Sequence, residues 1–429
     1  MGILLQGQGP DHKNRNQLKV NGEWSEVKGM KKKSLKDVTV KGKRVFLRVD
    51  FNVPLEEREG VTVVSDDTRI KASLPTLRHL VDGGGKIICA SHLGRPKGEK
   101  NPLLSLKPVA ERLSRLLNRE VTFSGETIGP EVEALKSQLM EGEILLLENL
   151  RFNPGETKND EQLAGELAKN IDIYINDAFG ACHRAHASIR KITEFVPVAA
   201  AGFLLEKEIE FLGMATDNPP KNYTVILGGA KVSDKIPLIT NLMEKAKKIL
   251  IGGAMAYTFL KAKGVDVGNS KVEDDFIDTC RDIMEKAEEK KVKLLLPVDH
   301  VAAVEIEPEV TIRLIKRGKE IPPDMMGLDI GFDTIQLYSE ELEDAVLIVW
   351  NGPMGVFEIE NFSSGTIEIA KAVAVSTATT IIGGGDSVAA INKAGVADKI
   401  SHISTGGGAA LEFLSGKKLP GIESLSEVE

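Results

Sequence analysis

Thr380-Ile381-Ile382-Gly383-Gly384-Gly385-Asp386 compresses an apolar strand, a glycine turn and a carboxylate into one short stretch. Four other stretches of the second half repeat the strand-to-glycine plan. They are Val225–Leu227 before Gly228-Gly229, Ile249–Ile251 before Gly252-Gly253, Val346–Trp350 before Asn351-Gly352, and His402–Ser404 before Thr405-Gly406-Gly407-Gly408. Glycine lets a backbone come close to a ligand, and a helix start beyond it offers free N–H groups to phosphate. One such turn says little. Five on the carboxyl edge of one parallel sheet point to a nucleotide cleft, and no Walker lysine accompanies them, so the cleft lies outside the P-loop class.

Outward from these turns, short β-branched runs alternate with amphipathic helical stretches from Lys43 onward, the pattern of α/β units on parallel sheets. First-half strands are expected over Val45–Val49, Lys86–Ala90, Ile144–Leu147 and Ile171–Ile175, with helices over Leu106–Leu117 and Glu161–Ala168; Val292–Leu296 adds a strand to the second half. Between the halves, Leu205, Ile209 and Leu212 recur at helical spacing within Phe203–Ala215. Pro197 and Pro219-Pro220 flank that segment, which reads as an interdomain helix. Residues 1–29 are polar and Gly/Asn/Lys-rich, without a signal-peptide core, and read as a flexible or appended leader.

Composition narrows the function. The 429 residues suffice for two domains with cores, and a net charge of −8 argues against general nucleic-acid or anionic-membrane binding. Any anion site must therefore be a local cluster. Cys89, Cys182 and Cys280 are too few and too scattered for a disulfide framework or a Cys-rich zinc site, which fits a reducing cytosol. No apolar run approaches the ~20 residues of a membrane span.

That local cluster lies at first-half strand ends. Asp50-Phe51-Asn52 follows the first strand, His92-Leu93-Gly94-Arg95 the second, Arg151 the third, and His183-Arg184-Ala185-His186 the fourth; Arg69 adds a cation in the loop after a hairpin-like segment. Ligands of parallel sheets sit beyond these ends, so Arg95, Arg151, Arg184, His92 and His186 are expected around one space. Guanidinium forks match phosphate and carboxylate, which suits a small phosphorylated acid, and Asp50 with Asn52 offers acceptors for a substrate hydroxyl. Taken singly, each arginine reads equally as a solvated surface charge and each histidine as a core or loop residue. The Cys182-His183…His186 spacing lacks a second ligand pair for zinc.

In the second half, Lys231 and Lys235 share one face if a helix begins directly after Gly228-Gly229-Ala230, and two ammonium groups there can follow a moving phosphate. Ordinary surface lysine is the alternative. Asp386 reads as a hard-oxygen ligand for nucleotide-borne magnesium or as a helix N-cap, opening a helix to Lys393 with Gly395 beyond it. Glu358 can accept ribose hydroxyls. Thr405–Gly408 opens a short helix ended by Gly416, with N–H groups able to stabilise charge in transfer.

Taken together these blocks resemble phosphoglycerate kinase of bacterial type, from about Met30 to Gly421. The most specific are Arg48–Pro54, Ser91–Pro96, Asn176–Ser188, Gly228–Ile236, Trp350–Glu358, Gly383–Ala389 and Ser404–Leu414. The resemblance implies a bilobal kinase unrelated to P-loop or protein kinases, with two doubly wound parallel-sheet domains joined by a hinge helix. Its implied divisions are residues 30–202 for phosphoglycerate, 203–216 for the hinge, 217–403 for nucleotide, and 404–429 for a glycine turn and a tail returning to the first domain. It implies phosphoryl transfer between 1,3-bisphosphoglycerate and ADP with Mg2+, giving 3-phosphoglycerate and ATP, in a cytoplasmic monomer. Carried over, Asp50 and Asn52 hold the glycerate, while His92, Arg95, Arg151 and Arg184, with His186 beside them, take its non-transferred phosphate. Arg69 and Lys231 accompany the transferred group. Lys235, Asn351, Gly385 and Ser387 lie at the nucleotide phosphates, Asp386 at the metal and Glu358 at the ribose. Gly228, Gly229, Gly252, Gly253 and Pro353 shape the nucleoside pocket, and Gly406, Gly407 and Gly408 face the transition state.

Two rivals stand beside this reading. A nicotinamide-dependent dehydrogenase would need a Gly-x-Gly-x-x-Gly after a strand, and none is present. An adenylate-binding protein without catalysis would have no need of Arg69, Lys231 and Asp386 together.

Overall fold

Two six-stranded parallel sheets carry the chain. The computed structural model describes residues 32–428 except Asn218, together with the backbone pairing of Gln17–Val20 and Glu23–Glu26; the leader expected over 1–29 otherwise lies outside the described residues.

The first sheet runs, in spatial order, Val198–Ala201, Ile173–Asp177, Arg44–Val49, Lys86–Ala90, Ile144–Leu146 and Val121–Phe123. Its central strands are apolar at nearly every position because helices cover both faces. The two-residue period divides them: Val45, Leu47 and Val49 pack with Leu74 and Leu77, whereas Phe46 joins Ile88 and Tyr174 on the opposite face.

The second sheet runs Lys293–Leu295, Lys248–Ile251, Tyr223–Leu227, Leu347–Asn351, Thr379–Gly383 and His402–Ile403. Each sheet is filled on both sides of a central pair of strands, and in the first sheet the chain reaches the edge at Val121–Phe123 before turning back to Ile144–Leu146. The switch points lie between Arg44–Val49 and Ile173–Asp177, and between Tyr223–Leu227 and Leu347–Asn351. A parallel doubly wound sheet opens its ligand crevice at such a point.

Phe203–Thr216 is a helix whose buried Leu205 and Leu212 belong to one apolar cluster shared by residues of both sheets. Its start is fixed by Asp177 at the end of a first-sheet strand, whose Oδ1 accepts the N–H groups of Leu204 and Leu205 at 2.9 and 3.3 Å. Gly202 precedes it because a Cβ there would overlap the Asp177 carboxylate. Past the last strand, the chain returns to the first sheet: Ser426 N donates to Ala199 O at 2.9 Å, and Gly421 N to Cys182 O at 2.9 Å.

Three local features depart from the sequence reading. Arg69, expected in a loop, is the second residue of the helix Thr68–Asp82, which tolerates Pro75 in its interior. The helix after Gly228-Gly229 begins only at Ile236, with Pro237 in its first turn, so Lys231 and Lys235 do not share a helical face. The intervening bend is held by Glu273, which accepts the Val232 and Ser233 N–H groups at 2.5 and 3.1 Å. A three-stranded antiparallel sheet, Arg313–Ile315, His300–Ala303 and Met326–Ile330, had no counterpart in the expected plan.

Candidate functional site

Arg48 lies near the end of the apolar strand Arg44–Val49 and is fully buried. A guanidinium has only donors, and each needs an acceptor in such a place. Its Nε donates to Ser188 Oγ at 2.8 Å, Nη1 to the Val49 carbonyl, and Nη2 to His92 Nδ1 at 3.2 Å. Glu156, also fully buried, has Oε1 3.9 Å from Nη2 and accepts the Ser188 hydroxyl at 2.6 Å. Around this centre the expected strand-end residues assemble.

Asp50 pairs with Arg69 at 2.5 Å and has Oδ1 3.9 Å from His92 Nε2. Asn52 Oδ1 accepts the Gly94 N–H at 2.8 Å, while the Gly94 carbonyl accepts Arg151 Nη1 at 2.7 Å, which ties the first, second and third strand ends together. Arg184 Nε donates to His183 Nε2 at 3.0 Å. Arg95 stands exposed beside Gly94.

The charges within this group act on one another. Burial and the nearby Arg48 and Arg184 bring the Arg151 pKa down to about 10. Burial, reinforced by Arg48, Arg151 and Arg184, brings His186 down to about 3. His92 is held well below the usual imidazole range by burial and then by Arg48, Arg151, His186 and Arg69, so both histidines are neutral near pH 7. Three buried atoms here, Arg151 Nε, His183 Nδ1 and His186 Nδ1, have no hydrogen-bond partner. Such atoms are costly to leave unpaired, and His186 Nδ1 faces Glu156 Oε1 across 3.7 Å.

The second half gathers its residues at the other switch point. Asn351 ends the central strand and binds through both side-chain ends: Oδ1 accepts Lys235 Nζ, and Nδ2 donates to Gly383 O at 2.6 Å. Partial burial lowers the Lys235 pKa, against the opposing pull of Asp234 and Asp386. Ser387 Oγ accepts the Gly352 N–H at 2.6 Å, tying two turns together. Asp386 is exposed in the first turn of Gly385–Lys393, whose N-cap is Gly384, so its carboxylate does not serve as the cap. Lys231 and Glu358 are exposed.

The glycines divide into two kinds. At Gly228, Gly252, Gly253 and Gly352, a Cβ would strike neighbouring turns: Pro353 O, Met354, Gly229 N and Gly228 O respectively. They let backbones pass one another, with Gly229 N donating to Pro353 O at 3.0 Å and Gly253 N to Met354 O at 2.9 Å. Gly229, Gly385 and Gly407 instead border open space. The turn glycines read as ligand contacts from sequence are thus partly contacts between turns.

The Thr405–Gly408 turn leaves the second sheet and meets the first half. A Cβ at Gly406 would enter the buried Phe179 ring, one at Gly408 would lie 3.8 Å from His183 Nε2, and one at Gly180 would lie 2.5 Å from Asp50 Oδ2 and 3.6 Å from Thr405 O. Glu208 of the connecting helix accepts Thr405 N at 2.7 Å and stands 2.9 Å from His402 Nε2. The sequence reading did not single out Arg48, Glu156, Ser188, Glu208 or Glu273 as site residues. Of these only Arg48 carried a signal, a charge inside a run otherwise fit for burial on both faces.

The comparisons agree with this geometry. The phosphoglycerate kinase family model matches residues 35–417. The phosphoglycerate kinase of Thermosipho africanus is 56% identical over 400 residues, covering 92% of this chain and 98% of that protein. That of Koribacter versatilis is 55% identical over 404 residues, covering 92% and 100%. Among solved structures, phosphoglycerate kinase from Coxiella burnetii superposes with a TM-score of 0.84 at 39% identity, and that from Pyrococcus horikoshii with 0.78 at 35%, each covering 92% of this chain and 98% of the other. With two doubly wound sheets, a cation cluster at one switch point, glycine turns at the other and relatives matched almost end to end, the chain belongs to the glycolytic phosphoglycerate kinase family, phosphotransferases whose acceptor is a carboxyl group.

Proposed function

We propose that the chain catalyses reversible in-line phosphoryl transfer from 1,3-bisphosphoglycerate to Mg-ADP, giving 3-phosphoglycerate and ATP without a covalent enzyme intermediate. The observation that carries this reading is the seating of Thr405–Gly408 of the second half against Phe179, Gly180 and His183 of the first. An acyl phosphate is already a good donor, so positioning and charge neutralisation suffice, and no protein nucleophile is needed.

In this reading Arg95, Arg151, Arg184, His92 and His186 take the non-transferred phosphate. The unpartnered Arg151 Nε and the neutral histidines suit that role. Asp50 and Asn52 orient the glycerate, and Arg69, held by Asp50 at 2.5 Å, turns to the acyl-phosphate end when substrate competes for it. Lys231 follows the transferred group, while Lys235, Asn351, Gly385 and Ser387 fix the nucleotide phosphates. Glu358 meets the ribose, and Gly228, Gly229, Gly252, Gly253 and Pro353 wall the nucleoside. Gly407 and Gly408 offer N–H groups to the charge in transfer, whereas the Gly406 N–H is taken by Ser404 Oγ at 3.1 Å and Gly406 contributes by its place in the turn.

Among the described residues no three His, Cys, Asp or Glu side chains form a metal cage. A single exposed carboxylate, Asp386, suits Mg2+ that draws its other ligands from nucleotide oxygens and water, and the ion would neutralise phosphate charge when bound. Closure of the halves about Phe203–Thr216 would bring the donor and acceptor together and exclude water. A cytoplasmic monomer completes the proposal; no described helix is long and apolar enough to cross a membrane.

A coupled assay of ADP formation from ATP and 3-phosphoglycerate tests it. Turnover should require Mg2+ and vanish in Lys231→Ala. ATP binding without turnover in the wild type would refute the transfer reaction.

A further inference from the structure

Beneath the cation cluster lies a chain of hydrogen bonds whose every direction is forced. Glu156, the buried counter-charge of Arg48, accepts through both oxygens: Oε1 takes the Ser188 hydroxyl at 2.6 Å and Oε2 the Ser188 N–H at 3.0 Å. Having given its proton to Glu156, the Ser188 hydroxyl can only accept from Arg48 Nε, at 2.8 Å. Arg48 has donors alone, so the 3.2 Å contact of Nη2 with His92 Nδ1 requires that nitrogen to carry a lone pair. The proton of a neutral His92 therefore sits on Nε2, the nitrogen that faces Asp50 across 3.9 Å.

We infer that Glu156, acting through Ser188 and Arg48, is a positioning residue that sets His92 in its Nε2–H tautomer and so makes it a hydrogen-bond donor to the phosphorylated acid. This deepens the proposed function and rests on it. Without the relay, Arg48 could swing away from His92, and a histidine with Nδ1 protonated would present a lone pair to an anionic ligand. Glu156 also anchors, through both backbone and carboxylate, the loop that carries the other ligand candidates. The Glu156 carbonyl accepts the Ala187 N–H at 2.9 Å, and Oε1 lies 3.7 Å from His186 Nδ1. Glu156 and Ser188 are both fully buried and touch no open part of the site. Their influence on substrate passes through Arg48 and His92, and through the loop that carries His186. Burial and the surrounding arginines keep His92 neutral, which is the condition for a tautomer to matter.

The test uses two variants of the full chain, Glu156→Gln and Ser188→Ala, the second retaining the Ser188 backbone bond in case the first does not fold. Nitrogen-15 spectra of His92 at pH 7.5 read the tautomer, calorimetry reads 3-phosphoglycerate affinity, and kinetics reads KM for ATP. The wild type should show a single Nε2–H form. In Ser188→Ala that form should give way to a mixture, with 3-phosphoglycerate binding about tenfold weaker, the cost of roughly one charge-assisted hydrogen bond, and KM for ATP within twofold. A Ser188→Ala protein with unchanged tautomer and unchanged 3-phosphoglycerate affinity overturns the inference alone. Equal weakening toward ATP also overturns it, because general loosening would then explain the defect. A wild type that does not bind 3-phosphoglycerate overturns the functional reading and this inference with it.

Discussion

Replacing Asp177 by Asn should remove a pH dependence of stability that originates at the start of the connecting helix. Asp177 is fully buried; Oδ1 caps the helix through Leu204 and Leu205, and Oδ2 has no hydrogen-bond partner. Burial pushes its pKa from an ordinary 3.8 up to about 7, against the Thr76 hydroxyl and the two helix N–H groups. Between those values the folded chain holds a proton that the unfolded chain has released. Stability therefore falls as pH rises through this window, by ~1.4 kcal/mol per unit and about 4 kcal/mol in all. Asn cannot ionise, keeps a carbonyl oxygen for Leu204 and Leu205, and sets an NH2 group where the protonated Oδ2 stood. The variant should match the wild type near pH 4 and exceed its stability by up to about 4 kcal/mol at pH 8. His186, with its pKa pushed down to about 3, has the opposite slope: its contribution is complete above the ordinary 6.5 and lost as pH falls toward 3. That slope is common to both proteins, so their difference at each pH isolates Asp177. Urea unfolding followed by far-UV circular dichroism at pH 5, 6, 7 and 8 measures the difference. Parallel profiles, or a variant less stable than wild type at pH 8, would refute the argument.

Two further perturbations address the site. Arg69→Ala should lower kcat on the order of a hundredfold or more, since it removes a cation expected to act mainly on the transferring group, while KM values change only a few-fold; weakened substrate binding at unchanged kcat would sink that role. Gly406→Ala should drive a methyl group into the buried Phe179 ring and destabilise the chain by ~1–3 kcal/mol, together with a loss of turnover; a melting temperature equal to wild type would show that the turn does not seat there as described.

Much of the architecture was legible because a parallel strand covered on both faces must be apolar at nearly every position. Lys86–Ala90 and Glu161–Ala168 match their expected bounds, and the helix Lys107–Leu117 differs from expectation by one residue. The antiparallel sheet was hidden for the converse reason: Arg313 and Leu314 are exposed, so their short strand has no continuous apolar signature. Arg69, expected in a loop, stands instead in a helix that carries Pro75, usually a helix breaker, in its interior. The cations of the candidate site were legible as types at strand ends. Their carboxylate supports were not: Glu156 reaches Ser188, Glu273 reaches Val232 and Ser233, and Glu208 reaches Thr405, each across a separation with no local pattern to announce it.

Those three carboxylates also explain why the glycine turns alone are an incomplete description of the site. A turn of small residues can approach a ligand, but it has little side-chain packing to hold it in place. Gly228, Gly253 and Gly352 solve this by packing on neighbouring turn backbones, and Gly252 by packing on the Met354 side chain. Lys231 borders that cluster on a bend that Glu273 fastens through two N–H groups and the Ser233 hydroxyl. Thr405–Gly408 lies at the far edge of the sheet, and Glu208 fastens its entrance through the Thr405 N–H and hydroxyl. In the first half, Glu156 fastens the His183–Ser188 loop. Each of these three segments thus has one carboxylate accepting its backbone donors, and that arrangement positions it. In the proposed anion site, carboxylates turned toward backbone and hydroxyl donors do not face the cleft, where they would repel the ligand that the cations attract; Glu156 also lies 3.9 Å from Arg48 Nη2, and Glu208 2.9 Å from His402 Nε2.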